Sequence, residues 1–113
     1  MVNTYLTNAI SPNMLPIPCI LHVEYVTNEI AKKVLSNGFI NAIGHAGTAS
    51  LISKLLQMNI QPNRINIKVD YEDQILVFAL QKRIEEGKVL SEDEIKEIGY
   101  NWCLITVKHS YDK

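Results

Sequence analysis

The run Ile75-Leu76-Val77-Phe78-Ala79-Leu80 has no polar face at all. Bounded by Asp70-Tyr71-Glu72-Asp73 before it and Gln81-Lys82-Arg83 after it, it suits a strand near the middle of a sheet that is covered on both sides. Such a strand needs covering elements on both faces, which directs the chain to the α/β class. A length of 113 residues with 47% apolar content supplies one ordinary core, so residues 1–113 are read as a single domain.

The remaining elements follow from local signals. Residues 3–10 read as a first strand, stopped by Ser11-Pro12-Asn13. From Cys19 to Val26 a second strand alternates and puts His22 and Glu24 on one face, either as an acid/base couple or, more commonly, as a solvated strand face. Thr27 can N-cap a helix with Ile30, Ala31, Val34 and Leu35 inward, and Gly38 suits its C′ position. Residues 39–43 form a brief strand and 48–58 a second helix, ended by Asn59 and the Gln61-Pro62-Asn63 break. Arg64 to Val69 alternates strictly and predicts another strand, with Arg64, Asn66 and Lys68 on its polar face as a candidate basic patch. This strand would close a βαβ unit around the 48–58 helix. After a polar loop at 84–88, Ser91-Glu92-Asp93-Glu94 is a capping box opening a helix with Ile95 and Ile98 inward; Gly99 ends it, and Trp102–Lys108 is a last strand. The expected architecture is a mixed sheet of about five to six strands with about three short helices.

One turn carries a chemical signal. In Phe39-Ile40-Asn41-Ala42-Ile43-Gly44-His45-Ala46-Gly47-Thr48 a short strand runs through glycines into a helix start, where free backbone N–H groups and the positive dipole end favour an anion. Gly44 and Gly47 would let a ligand approach the backbone, and His45 would lie beside it as a proton donor or acceptor. The plain structural alternative is a capping or surface histidine. A Walker loop is disfavoured further, because the G-x-x-x-x-G-K-[ST] spacing and its lysine are missing.

The formal net charge of −1 offers no general attraction to duplex nucleic acid or an anionic membrane, so a nucleic-acid ligand should be small. Cys19 and Cys103 are far apart, and His22, His45 and His109 lack metal-ligand spacing, which predicts neither a disulfide framework nor a metal site. No apolar stretch is long enough to span a bilayer and no secretory pattern opens the chain, which predicts a cytoplasmic location.

Asn8, Ser11 and Asn13, then Gly44, His45 and Thr48, then Arg83 with Glu86 all fall at expected element ends. If the sheet brings those ends together, they supply a proton donor, a guanidinium able to grip a phosphate and an orienting carboxylate; a surface salt bridge explains Arg83 and Glu86 equally well.

Three segments, 6–15, 40–45 and 81–91, closely resemble in order and spacing the viral ring nucleases, a family of type III anti-CRISPR proteins with related copies on bacterial mobile elements. The resemblance covers nearly the whole chain. It implies a homodimer without a cofactor that binds cyclic tetra-adenylate across its two-fold axis and, without metal, cuts it to linear di-adenylate. It assigns His45 as general acid acting as imidazolium, Arg83 as stabiliser of the scissile phosphate and Glu86 as its companion carboxylate. Asn8, Ser11, Asn13, Gly44, Thr48, Arg64 and, more weakly, Gln81 are implied as ligand contacts. A module that binds a small nucleotide or a protein without cutting is the alternative.

Overall fold

A computed structural model of the chain describes residues 2–81, 91, 93–94, 97 and 99–110. Its strands are β1 Thr4–Thr7, β2 Cys19–Val26, β3 Ile40–Asn41, β4 Gln74–Leu80 and β5 Tyr100–His109, with helices α1 Asn28–Ser36 and α2 Ala46–Leu56. They form a five-stranded mixed sheet in the order β2-β5-β4-β1-β3. The apolar run is β4, hydrogen-bonded to β1 in parallel and to β5 antiparallel, which is the central, doubly covered position its composition requires. The helices cover one face, where Leu6, Leu76, Phe78 and Trp102 pack with Leu35 of α1 and Leu51, Ile52 and Leu56 of α2. On the other face Tyr5, Ile75, Val77, Ile105 and Val107 cluster with Ile67 and Val69.

Residues 64–69 therefore differ from the strand expected there. No ladder forms along them. Ile67 and Val69 are buried at period two, but as an extended strap laid across the sheet face and tied by Val69 N–H donating to the Met14 carbonyl at 2.8 Å. Alternation reports that every second side chain is buried, and a strap satisfies it as well as a paired strand does. The crossover through α2 accordingly closes on β4, which lies beyond β1 from β3.

The local signals were more reliable. Thr27 caps α1 by accepting from Ile30 N–H at 3.2 Å, and Gly38 follows the helix at φ +104°, the C′ conformation that glycine adopts without a steric penalty. Ser91 and Glu94 make the reciprocal bonds of a capping box at 3.2 Å each, and Asp93, Glu94 and Glu97 have helical backbone. The first strand is shorter than expected, because the Thr7 hydroxyl turns to donate to the Ala9 carbonyl at 3.1 Å.

Asp73 joins the β1 and β4 ends. Its buried carboxylate, 2% exposed, accepts from Asn3 N–H and from Asp70 N–H, each at 2.9 Å. Burial, and next the Asp73 charge, push the nearby Tyr5 phenol above its ordinary range. Asp73→Ala strands two donors and removes charge-assisted bonds, and is expected to lower unfolding free energy by about 3 kcal/mol in a urea titration.

Candidate functional site

Because β1, β3 and β4 run parallel, their carboxyl ends share one edge of the sheet. There the chain leaves β3 and enters α2 through a turn held from both sides. Asn41 accepts from Ile43 N–H at 3.0 Å through its side-chain oxygen and donates through its amide to the Gln61 carbonyl. Asn63 N–H donates to the Ile43 carbonyl at 2.6 Å, and its side-chain amide to the Asn41 carbonyl at 2.7 Å. The break at 61–63 thus clamps the turn as well as ending a helix.

The clamp fixes His45, which is itself the N-cap of α2; the helix begins at Ala46, two residues before the expected start at Thr48. His45 Nδ1 accepts from Thr48 N–H at 3.2 Å, with the Thr48 hydroxyl oxygen 3.4 Å away. An accepting Nδ1 places the ring proton on Nε2. That nitrogen is buried and has no hydrogen-bond partner among the described residues, an arrangement that normally costs free energy unless a ligand or water completes it. The imidazolium expected from the sequence requires Nδ1 to give up this bond, and the Thr48 oxygen is then the acceptor at hand. Thr48, buried at 4% exposure, supports the ring from beneath.

Arg64 lies against the same turn. A methyl group added at Gly44 would stand 3.3 Å from Arg64 Nε and 3.4 Å from its Cγ, so this glycine makes room for the arginine. Gly47 is buried in the first turn of α2. The sequence assigned both glycines to ligand approach; in the fold Gly44 admits a side chain that could itself hold the ligand. Arg64 has no carboxylate or hydrogen-bond partner among the described residues. A guanidinium left without a partner among the described residues, beside the positive end of an eleven-residue helix, has the charge and donors that an anion site needs.

A cavity of about 360 Å³ opens alongside, lined by Thr7, Ser11, Asn13, Ala42, Asn66 and Lys68 among others. Ser11 is the N-cap of the 3₁₀ turn Pro12–Met14 and Asn13 lies within it, and Lys68 Nζ donates to the Asn13 carbonyl at 2.9 Å, joining that turn to the strap. Asn8 is exposed and outside the lining. Gln81 follows β4; its N–H donates to the Gly99 carbonyl at 3.1 Å, and its side-chain amide packs over Gly99, where an added Cβ would be 2.8 Å from Oε1. Arg83 and Glu86, the 84–88 loop, and Ile95 and Ile98 lie outside the described residues. The structure therefore gathers Gly44, His45, Thr48 and Arg64 at the turn into α2, and places Ser11 and Asn13 in the lining of the cavity, which includes none of those four. His22 and Glu24 are a 3.1 Å exposed pair on β2, away from it. Thr7, Asn41 and Asn63 were missed from the sequence; their only local sign is residue type. Among the described residues no three His, Cys, Asp or Glu side chains are grouped to hold a metal, and no helix is long and apolar enough to cross a membrane.

Fold and site define a small α/β domain with a candidate anion site at the carboxyl edge of its parallel strands. The chain belongs to the STIV B116-like family, whose model matches residues 4–102. It is 38% identical over 96 residues to Uncharacterized protein 26 of Sulfolobus islandicus filamentous virus (isolate Iceland/Hveragerdi), covering 82% of this chain and 81% of that protein. It is 35% identical over 102 residues to Uncharacterized protein ORF116 of Acidianus filamentous virus 1, covering 86% and 85%. Among solved structures, B116 of Sulfolobus turreted icosahedral virus superposes with a TM-score of 0.78 at 32% identity, over 92% of this chain and 98% of that one. The α/β fold expected from the sequence agrees with that structure, and the family is one with viral members.

Proposed function

We propose that this protein is a metal-independent ring nuclease that binds cyclic tetra-adenylate across a homodimer and cleaves it to di-adenylate ending in a 2′,3′-cyclic phosphate, switching off type III CRISPR signalling. The observation that carries the reading is the buried, unpartnered Nε2 of His45 at the start of α2 with Arg64 beside it. A phosphodiester placed there would meet a proton donor, a guanidinium and the helix N–H groups together.

In this mechanism a ribose 2′-hydroxyl attacks the adjacent 3′-phosphate in line, giving up its proton to solvent as the O2′–P bond forms and the P–O5′ bond breaks, so positioning supplies much of the barrier reduction. His45 protonates the departing 5′-oxygen from Nε2 while the Thr48 hydroxyl accepts from Nδ1. Arg83, three residues along the chain from the end of β4, would steady the non-bridging oxygens, with Glu86 orienting it. Ser11 and Asn13 would hold the ribose or base in the cavity beside the turn. A ring of four nucleotides has a two-fold axis, and two copies of one half-site match it better than a single subunit does.

One observation favours a second reading, a non-catalytic nucleotide-binding module: capping α2 already gives His45 a structural task. Incubation with labelled cyclic tetra-adenylate in the presence of EDTA separates the two. Di-adenylate is the expected product; tight binding without turnover supports the module, and neither binding nor cleavage rejects both.

A further inference from the structure

The cavity beside the strap is distinct from the turn into α2, yet the chain joins them: Ala42 of its wall stands two residues before Gly44, and Ile65 directly follows Arg64. Its volume of about 360 Å³ lies at the lower end of the range for small-molecule sites, which suits one nucleotide unit and not a whole ring. Part of the wall is apolar, from Met14, Ala42, Ile65 and Ile67, and part is polar, from Asn13, Asn66 and Lys68. A flat heterocycle attached to a charged group uses both parts. A bare phosphate or a sugar leaves the apolar part unused.

Charge and hydrogen-bonding capacity narrow the occupant further. No carboxylate belongs to the described lining, and the Lys68 ammonium is the charged group in it, so the occupant is an anion rather than a cation. Lys68 Nζ gives one of its three N–H donors to the Asn13 carbonyl and keeps two for a phosphate. The side-chain amides of Asn13 and Asn66 have no hydrogen-bond partner among the described residues. Asn66 stands between Ile65 and Ile67, beside the apolar wall where a base would lie; Asn13 stands next to Lys68, at the sugar–phosphate end. An asparagine amide sets a donor beside an acceptor, which matches the N7 and N6 edge of adenine; guanine shows two acceptors on that edge. We propose that the cavity is a pocket for one adenine nucleotide, in which the Asn66 amide selects the base and Lys68 holds the phosphate.

The inference rests on the nucleotide-binding part of the function proposed above and not on cleavage. It adds a residue that decides which base is accepted, carried on the strap rather than on the sheet. Because Ile65 adjoins Arg64, a base seated here directs its neighbouring phosphodiester toward the His45 turn.

The test follows backbone amide signals of the isotope-labelled protein by NMR during titration with adenosine 5′-monophosphate. Inosine 5′-monophosphate, with an oxygen in place of the N6 amino group, and uncharged adenosine are the comparison probes. Signals of Ala42 and of residues 65–68 are expected to shift, and the adenine nucleotide should bind about 10-fold more tightly than the inosine one, as a bidentate base contact provides. Asn66→Leu should erase that preference. Lys68→Gln, whose amide can still donate to the Asn13 carbonyl, should weaken both nucleotides alike, abolish the advantage over adenosine and leave the preference for adenine in place. Both positions are exposed, and circular dichroism checks that the variants are folded. No shift at these residues, equal affinity for the two nucleotides, or a preference that survives Asn66→Leu overturns the proposal. A protein that binds adenosine monophosphate as described but leaves cyclic tetra-adenylate intact keeps the pocket and rejects the nuclease; one that cuts the ring without these shifts does the reverse.

Discussion

Replacing His45 by asparagine is expected to slow single-turnover cleavage of cyclic tetra-adenylate by about 10²–10⁴-fold, the ordinary contribution of a general acid. Binding should change little, since a proton donor acts chiefly in the transition state. Asparagine is the informative substitution because it can still cap α2; alanine would add a capping loss of about 1 kcal/mol and confuse chemistry with stability. Arg83→Ala should impair binding and rate together, because a guanidinium on the phosphate is used in both the ground and the transition state. Thr48→Val, which keeps shape but removes the acceptor for Nδ1, should reduce rate with little loss of affinity. Equal loss of affinity and an unchanged rate in the His45 and Arg83 variants would contradict the roles given to both.

Trp102→Ala is expected to produce the largest loss of stability, about 3–5 kcal/mol from the cavity and lost transfer free energy. Trp102 is 2% exposed, its ring lies 4.8 Å from that of Phe78, and its indole N–H donates to Asn28 Oδ1 at 2.7 Å. Asn28 is also bonded to the Tyr100 hydroxyl at 2.9 Å, so this substitution loosens the start of α1 from β5 as well as opening the core. Against a domain stability of about 5–15 kcal/mol, that loss is more than half of the total at the low end of the range and should lower the denaturation midpoint clearly. A urea titration followed by circular dichroism measures the effect, and Trp102→Phe should recover more than half of the loss.

The contrast between these residues shows what the chain discloses in one dimension. Thr27, Gly38 and the Ser91–Glu94 box act on backbone a few positions away, so residue type and spacing were enough to place them. The unbroken run in β4 was equally readable because double burial leaves no room for polar side chains. Arg64 and Gly44 are different: the glycine is explained by a side chain twenty positions downstream, and that contact exists only once the 61–63 break folds back on β3. Asn41 and Asn63 have no periodicity or motif to mark them, since their bonds run to a backbone across the turn. At 64–69 the pattern itself was ambiguous, because period-two burial and strand pairing are separate properties that usually coincide.

The strap at 64–69 belongs to the scaffold through the buried Ile67 and Val69 and to the cavity through Ile65, Asn66 and Lys68. With no ladder to preserve, substitutions or length changes on its outward positions would reshape one wall of the pocket while leaving the sheet intact. The shape of the cavity and the stability of the sheet are thereby carried on partly separate stretches of chain.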